Sequence, residues 1–189
     1  MSVSSAVTSG LHGAWLLARG RSDGLRYVEA DMAGAARSFW ALPVCLPAIV
    51  CLRLMSWLQD GVPPHAGHEF GLYLLAAVLG WLGFALLSFY MAPAFGAAER
   101  WPRYIAAWNW CNVVENLLIV VGSVPGLLGA PPLVDEVCQV FALGWALWIE
   151  WFATRAALGV GGLVAAWLVS IDLVLGLMLA GLSATLLHG

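Results

Sequence analysis

Three acidic side chains stand in segments otherwise suited to lipid. They are Glu115 in Trp108-Asn109-Trp110-Cys111-Asn112-Val113-Val114-Glu115-Asn116, Glu150 in Trp148-Ile149-Glu150-Trp151, and Asp172 in Ser170-Ile171-Asp172-Leu173. At the bilayer centre an ionisable group costs at least about 3 kcal/mol unless it finds a partner or water. Asn109, Asn112, Glu115 and Asn116 recur at three- and four-residue intervals, which predicts one polar stripe on a helix. Arg53 lies at a similar depth in an earlier apolar segment, so an Arg53–Glu115 ion pair is geometrically possible and would relieve both charges. Such a stripe could hold helices together, handle protons or ions, or bind a partner.

Glu150 and Asp172 fall at nearly the same depth. As neighbours, two carboxylates would share a proton, which suits either a proton site or a helix-to-helix hydrogen bond. Gln139 and Thr154 lie on roughly the face of Glu150. The face of Asp172 includes Ala165, Gly176 and Ser183, small enough for close helix approach. A third cluster, His65-Ala66-Gly67-His68-Glu69, could supply metal ligands. It lacks the His-Glu-x-x-His order of helical zinc hydrolases, and the simpler reading is a solvated loop whose histidines protonate below neutral pH. No metal or other cofactor is assigned; His65, His68 and Glu69 are the only candidates. Nucleophile-elbow, phosphate-loop and dinucleotide signatures are missing, and Cys111, the only nucleophile near the asparagines, points off their face. The expectation is a protein without enzymatic activity.

The elements that must position these groups follow from composition. Of 189 residues, 62% are hydrophobic and 10% charged, against about 25% charged in a soluble domain. With a mean hydropathy of +0.88, so few charges cannot cover a water-facing surface, and lipid must serve as solvent. The net charge of -3 and the lack of a basic cluster exclude nucleic acid as an expected partner. Cys45, Cys51, Cys111 and Cys138 show no metal spacing and read as buried free thiols. The first ten residues are Ser-rich, without the charged and apolar regions of a cleavable signal peptide.

A span needs about 20 mostly apolar residues. Windows at 38–58, 70–92, 101–121, 136–158 and 161–187 qualify, the third able to extend to Leu128 with a bend at Pro125. The link Gly159-Val160-Gly161-Gly162 is short enough to make the last two an antiparallel hairpin. Arg19, Arg21, Arg26, Arg37, Arg100, Arg103 and Arg155 flank alternate ends of these windows, whereas residues 59–69 and 122–135 contain no arginine. By the positive-inside rule the N-terminus is cytoplasmic and His188 is outside. Leu25, Val28, Met32, Ala35, Ala36 and Phe39 recur at helical spacing, predicting a short helix in the cytoplasmic interface. Trp40, Trp57, Trp101 and Trp151 fall at span ends. Trp108, Trp110, Trp145 and Trp148 lie deeper, and their indole N–H groups need acceptors that the carboxylates could supply.

Two segments also resemble a known group. Ala35-Ala36-Arg37-Ser38-Phe39-Trp40-Ala41-Leu42-Pro43 followed by Pro47, and Arg103-Tyr104-Ile105-Ala106-Ala107-Trp108-Asn109-Trp110, resemble the openings of two spans in uncharacterised bacterial inner-membrane proteins. The five-span plan with an N-terminal cytoplasmic segment is similar to that of Yip1-type membrane proteins. The resemblance implies a class and carries no catalytic role. The expected architecture is therefore an all-α polytopic membrane helix bundle of about five transmembrane helices. Residues 1–37 form a cytoplasmic or interfacial segment and residues 38–189 the bundle. It would sit in a bacterial cytoplasmic membrane, with the lipid bilayer, other membrane subunits or a second copy as partners. Two functional readings stand: an assembly, scaffold or accessory subunit, and a small proton- or ion-coupled transporter using its intramembrane carboxylates.

Overall fold

Hydrocarbon offers backbone N–H and C=O groups no water, so each apolar segment must close its own hydrogen bonds as a helix. The computed structural model describes residues 3–188 and contains no strand among them. Its helices are α1 (Val3–Leu17), α2 (Met32–Ser38), α3 (Ala41–Asp60), α4 (Ala66–Met91), α5 (Trp101–Leu127), α6 (Pro132–Leu158) and α7 (Gly162–His188). Among the described residues, five helical units are long and apolar enough to cross a membrane, α2 and α3 together forming the first. The protein is a polytopic membrane helix bundle. α5 continues through Pro125, and at 27 residues its length of about 40 Å exceeds the hydrocarbon thickness of about 30 Å.

α5 is the central element, packed most extensively on α6 and also on α1, α2 and α3. Buried alanines at 146, 153 and 157 on α6, and at 106 and 107 on α5, let helices approach closely. Exposed Leu133, Val137, Val140 and Phe141 of α6, with Leu177 and Met178 of α7, give the bundle its lipid-facing surface. The α6–α7 hairpin forms as expected from its glycines. Gly159 ends α6 with φ +66°, a conformation that favours a residue without Cβ. The Arg100 guanidinium donates to the Leu158 carbonyl at 2.7 Å and braces this turn against α5.

The N-terminal segment differs from the expected single interfacial helix. Leu25 and Arg26 lie in a 3-10 turn (Ser22–Tyr27), and Val28 is extended at φ -102°, ψ 126°. Asp31 explains the break: its carboxylate accepts from the Gly34 backbone N–H at 2.7 Å, so helix starts afresh there. Glu29 instead receives Arg37, whose Nη2 donates at 2.6 Å. Ahead of this turn stands α1, which the spacing of 25–39 does not announce. Ala14 and Leu17 on α1 are fully buried. Gly10 abuts the Trp110 ring of α5, and Trp145 of α6 donates to the Ala18 carbonyl at 3.2 Å. α1 therefore lies across the α5–α6 pair as part of a folded cap. Residues 1, 2 and 189 of the expected domains lie outside the described residues.

A Cβ at position 10 would enter the Trp110 indole, and overpacking of this kind costs about 1–3 kcal/mol. Gly10→Leu is therefore expected to release α1 while the five spans stay folded. Limited proteolysis should then cut the N-terminal segment about ten- to a hundredfold faster, with unchanged cleavage of the remainder.

Candidate functional site

The polar groups of the spans separate into a sealed joint, an ion pair and two cavities. The joint is centred on Asn109, fully buried on α5. Its Oδ1 accepts from the Trp81 indole at 2.6 Å and its Nδ2 donates to Ser38 Oγ at 2.7 Å. Ser38 Oγ in turn donates to the Ala35 carbonyl at 2.7 Å. One amide thus ties α4 and the end of α2 to α5. Ser38 and Trp81 carry no catalytic pattern in the sequence; the available signal was that a mid-span indole must find an acceptor.

Arg53 does not pair with Glu115. It forms its ion pair with Glu69 in the first turn of α4, and its guanidinium also lies 5.2 Å from the Tyr73 ring centroid and 5.7 Å from that of Trp57. Helix register is the reason. The Ser38–Asn109 contact at the end of α2 and the Cys45–Asn116 contact of α3 both join residues 71 apart, so the α2–α3 unit runs parallel to α5. Arg53 consequently stands level with Val124, about 13 Å beyond Glu115 along the axis. Glu69 is thus committed to Arg53, and among the described residues no three His, Cys, Asp or Glu side chains gather as a metal ligand set with His65 and His68. Arg53 Nε is buried without a hydrogen bond among the described residues.

The expected stripe on α5 also divides. Asn109 and Asn116, two turns apart, point one way, whereas Glu115 is rotated by about 100° from Asn116. Asn112 and Asn116 line a cavity of about 480 Å³ among α3, α4, α5 and α7. Arg53, Glu69 and Tyr73 lie at one end, and Trp81, Trp108 and Asp172 at the other. Asn112 donates its Nδ2 to the Trp108 carbonyl at 3.0 Å, and Asn116 donates its own to the Asn112 carbonyl at 2.8 Å. Their Oδ1 atoms take no hydrogen bond among the described residues.

Glu115 faces a second cavity, about 330 Å³, between α5, α6 and α7, together with Glu150 and Asp172. Asn116, Asp172 and Gly176 line both cavities, so Asp172 stands in the wall between them. Glu150 is 5% exposed and accepts from the Trp108 indole at 3.3 Å. Asp172 of α7 lines the same cavity as Glu150. The two carboxyls expected at equal depth thus face one space, and the Trp108 indole N–H is directed at one of them. Glu115 Oε1 is shut away from solvent and has no hydrogen-bond partner among the described residues. One turn along α5 and α6 from Trp108 and Glu150, the fully buried Tyr104 and Thr154 hydroxyls face one another, and neither completes a well-aligned hydrogen bond. Arg155 stacks over Trp151 at 5.5 Å, away from the carboxyls. All four cysteines carry free thiols.

No protein-family model, curated protein or solved structure matches the chain. The arrangement itself provides two carboxyls that can share one proton, a third carboxyl nearby, and a cavity leading to them from a neutralised ion pair.

Breaking a shielded ion pair strands one charge, which costs about 3–5 kcal/mol, whereas replacing both partners with apolar residues is often neutral. Arg53→Leu and Glu69→Leu alone should each lower thermal stability in detergent more than the double variant does. Glu115→Gln should add to either single effect independently, since it shares no partner with them. Strong coupling between Arg53 and Glu115 in that cycle would contradict the register described above.

Proposed function

We propose that this protein is a proton- or ion-coupled membrane carrier whose coupling site is the Glu150–Asp172 carboxyl pair. The observation that supports this reading is Asp172 in the wall of a cavity that begins at the Arg53–Glu69 pair. Buried carboxyls used only as helix glue need no such access. The pair holds one proton against the Trp108 indole. Arrival of a cation at Asp172 releases that proton, so one positive charge replaces another and the local charge stays constant. Glu115, facing the second cavity, adds a further acceptor beside the same pair.

By arginine placement, Arg53 and Glu69 lie toward the outside and the cavity descends from that side. The N-terminal cap, α1 and Arg100 then lie at the cytoplasmic end of α5 and α6. The reading takes a bacterial cytoplasmic membrane as the carrier's setting, and the similarity to Yip1-type proteins enters only as a shared five-span plan. A second reading, an accessory or assembly subunit without enzymatic activity, is favoured by the cap itself. There Trp15 is 50% exposed beneath the Arg19 guanidinium, 4.3 Å from its ring centroid. Exposed aromatic and arginine side chains of this kind suit contact with another subunit.

Proteoliposomes carrying a pH-sensitive dye separate the two readings. Asp172→Asn and Glu150→Gln should each slow cation-driven proton flux at least about tenfold, equivalent to about 1.4 kcal/mol of barrier, with thermal stability retained. Wild-type flux in both variants, or an equal loss of folding and flux, would remove the carrier reading in favour of the subunit.

A further inference from the structure

The larger cavity is unusual in what its polar lining offers. Asn112 and Asn116 each donate an amide N–H to a backbone carbonyl one turn earlier, Asn116 also reaching Cys45 Sγ, and each keeps a carbonyl oxygen without a partner among the described residues, open to an occupant as an acceptor. The Trp108 indole N–H is committed to Glu150 and that of Trp81 to Asn109. Those two residues therefore offer the cavity their ring faces, and Asp172 adds a carboxyl. At the far end Arg53 is held by Glu69 and contributes no free positive charge. The interior thus combines hydrogen-bond acceptors, a carboxyl and aromatic faces, which together favour a cation with N–H donors. The remaining walls are Ile49 of α3 and mostly small, apolar side chains of α4 and α7, with the Ser183 hydroxyl donated to the Leu179 carbonyl, and about 480 Å³ is the size of an organic-ligand site rather than of a bare ion.

We infer that the cavity binds an organic ammonium: a primary or secondary amine carrying a short apolar body. Its charged nitrogen sits between Asp172 and the carbonyl oxygens of Asn112 and Asn116, beside the faces of Trp81 and Trp108. Its carbon chain lies along the small side chains of α4 and α7. An anion meets two carbonyl oxygens and a carboxyl there, and a neutral molecule leaves the carboxyl without a counter-charge. This assignment deepens the carrier reading and names its substrate class.

Binding is tested apart from transport by isothermal titration of the full chain in lipid nanodiscs. The probes are butylammonium chloride, butanol as the neutral counterpart, and sodium chloride at equal ionic strength. Saturable heat with butylammonium alone is expected. It should weaken at least about tenfold in Asp172→Asn and also fall in Asn116→Leu, using variants whose thermal unfolding matches wild type. Equal binding of butanol, saturation by sodium without amine, or no amine binding would each overturn the assignment. Proton flux without butylammonium binding would overturn the assignment and leave the carrier reading standing. Butylammonium binding without flux would uphold the site and remove the carrier.

Discussion

A polar side chain inside hydrocarbon cannot be hydrated in place, so it must be hydrogen-bonded by the protein or open onto a water-accessible cavity. Both solutions appear here, on one helix and two turns apart. Asn109 is satisfied on both sides of its amide by Trp81 and Ser38, and it connects α4 and α2 to α5. The register of α3 against α5 follows from that joint and the Cys45–Asn116 contact. That register in turn decides which acid Arg53 reaches. The separation of the ion pair from the carboxyl cluster is thus a consequence of one buried amide.

The cavity follows from residue size as much as from polarity. α4 and α7 face each other there with alanine and glycine at positions 76, 77, 80, 176, 180 and 184. Small residues on facing helices usually permit tight contact. Here Trp81 and Trp108, packed edge to face with centroids 5.5 Å apart, prop the lower end, and Arg53 with Tyr73 occupies the upper one. The space between them stays open. Trp108 matters twice, since its ring borders the cavity and its N–H orients Glu150.

Span number, helical class and the hairpin at Gly159 were readable because each depends on local chemistry: an apolar run, a period, a glycine able to adopt positive φ. Equal depth of Glu150 and Asp172 was readable for the same reason, as a residue count from a short turn. The reading of 25–39 as one helix failed because periodicity says nothing about a capping carboxylate that restarts the helix at Asp31. α1 escaped notice because at 15 residues it is too short to register as a span, and part of its packing comes from Trp110, a residue far along the chain.

Sequence by itself determined that this chain is a membrane helix bundle and that its intramembrane charges are few and costly. Hydrophobicity and the bilayer's thickness suffice for that. Only the tertiary structure decided that Arg53 meets Glu69 and not Glu115, that Asn109 seals while Asn112 and Asn116 line a cavity, and that Asp172 stands between two such spaces. Depth along a helix can be counted from residues. Which face meets which neighbour depends on interhelical register and rotation, and these are set by contacts such as Ser38–Asn109 between residues 71 positions apart.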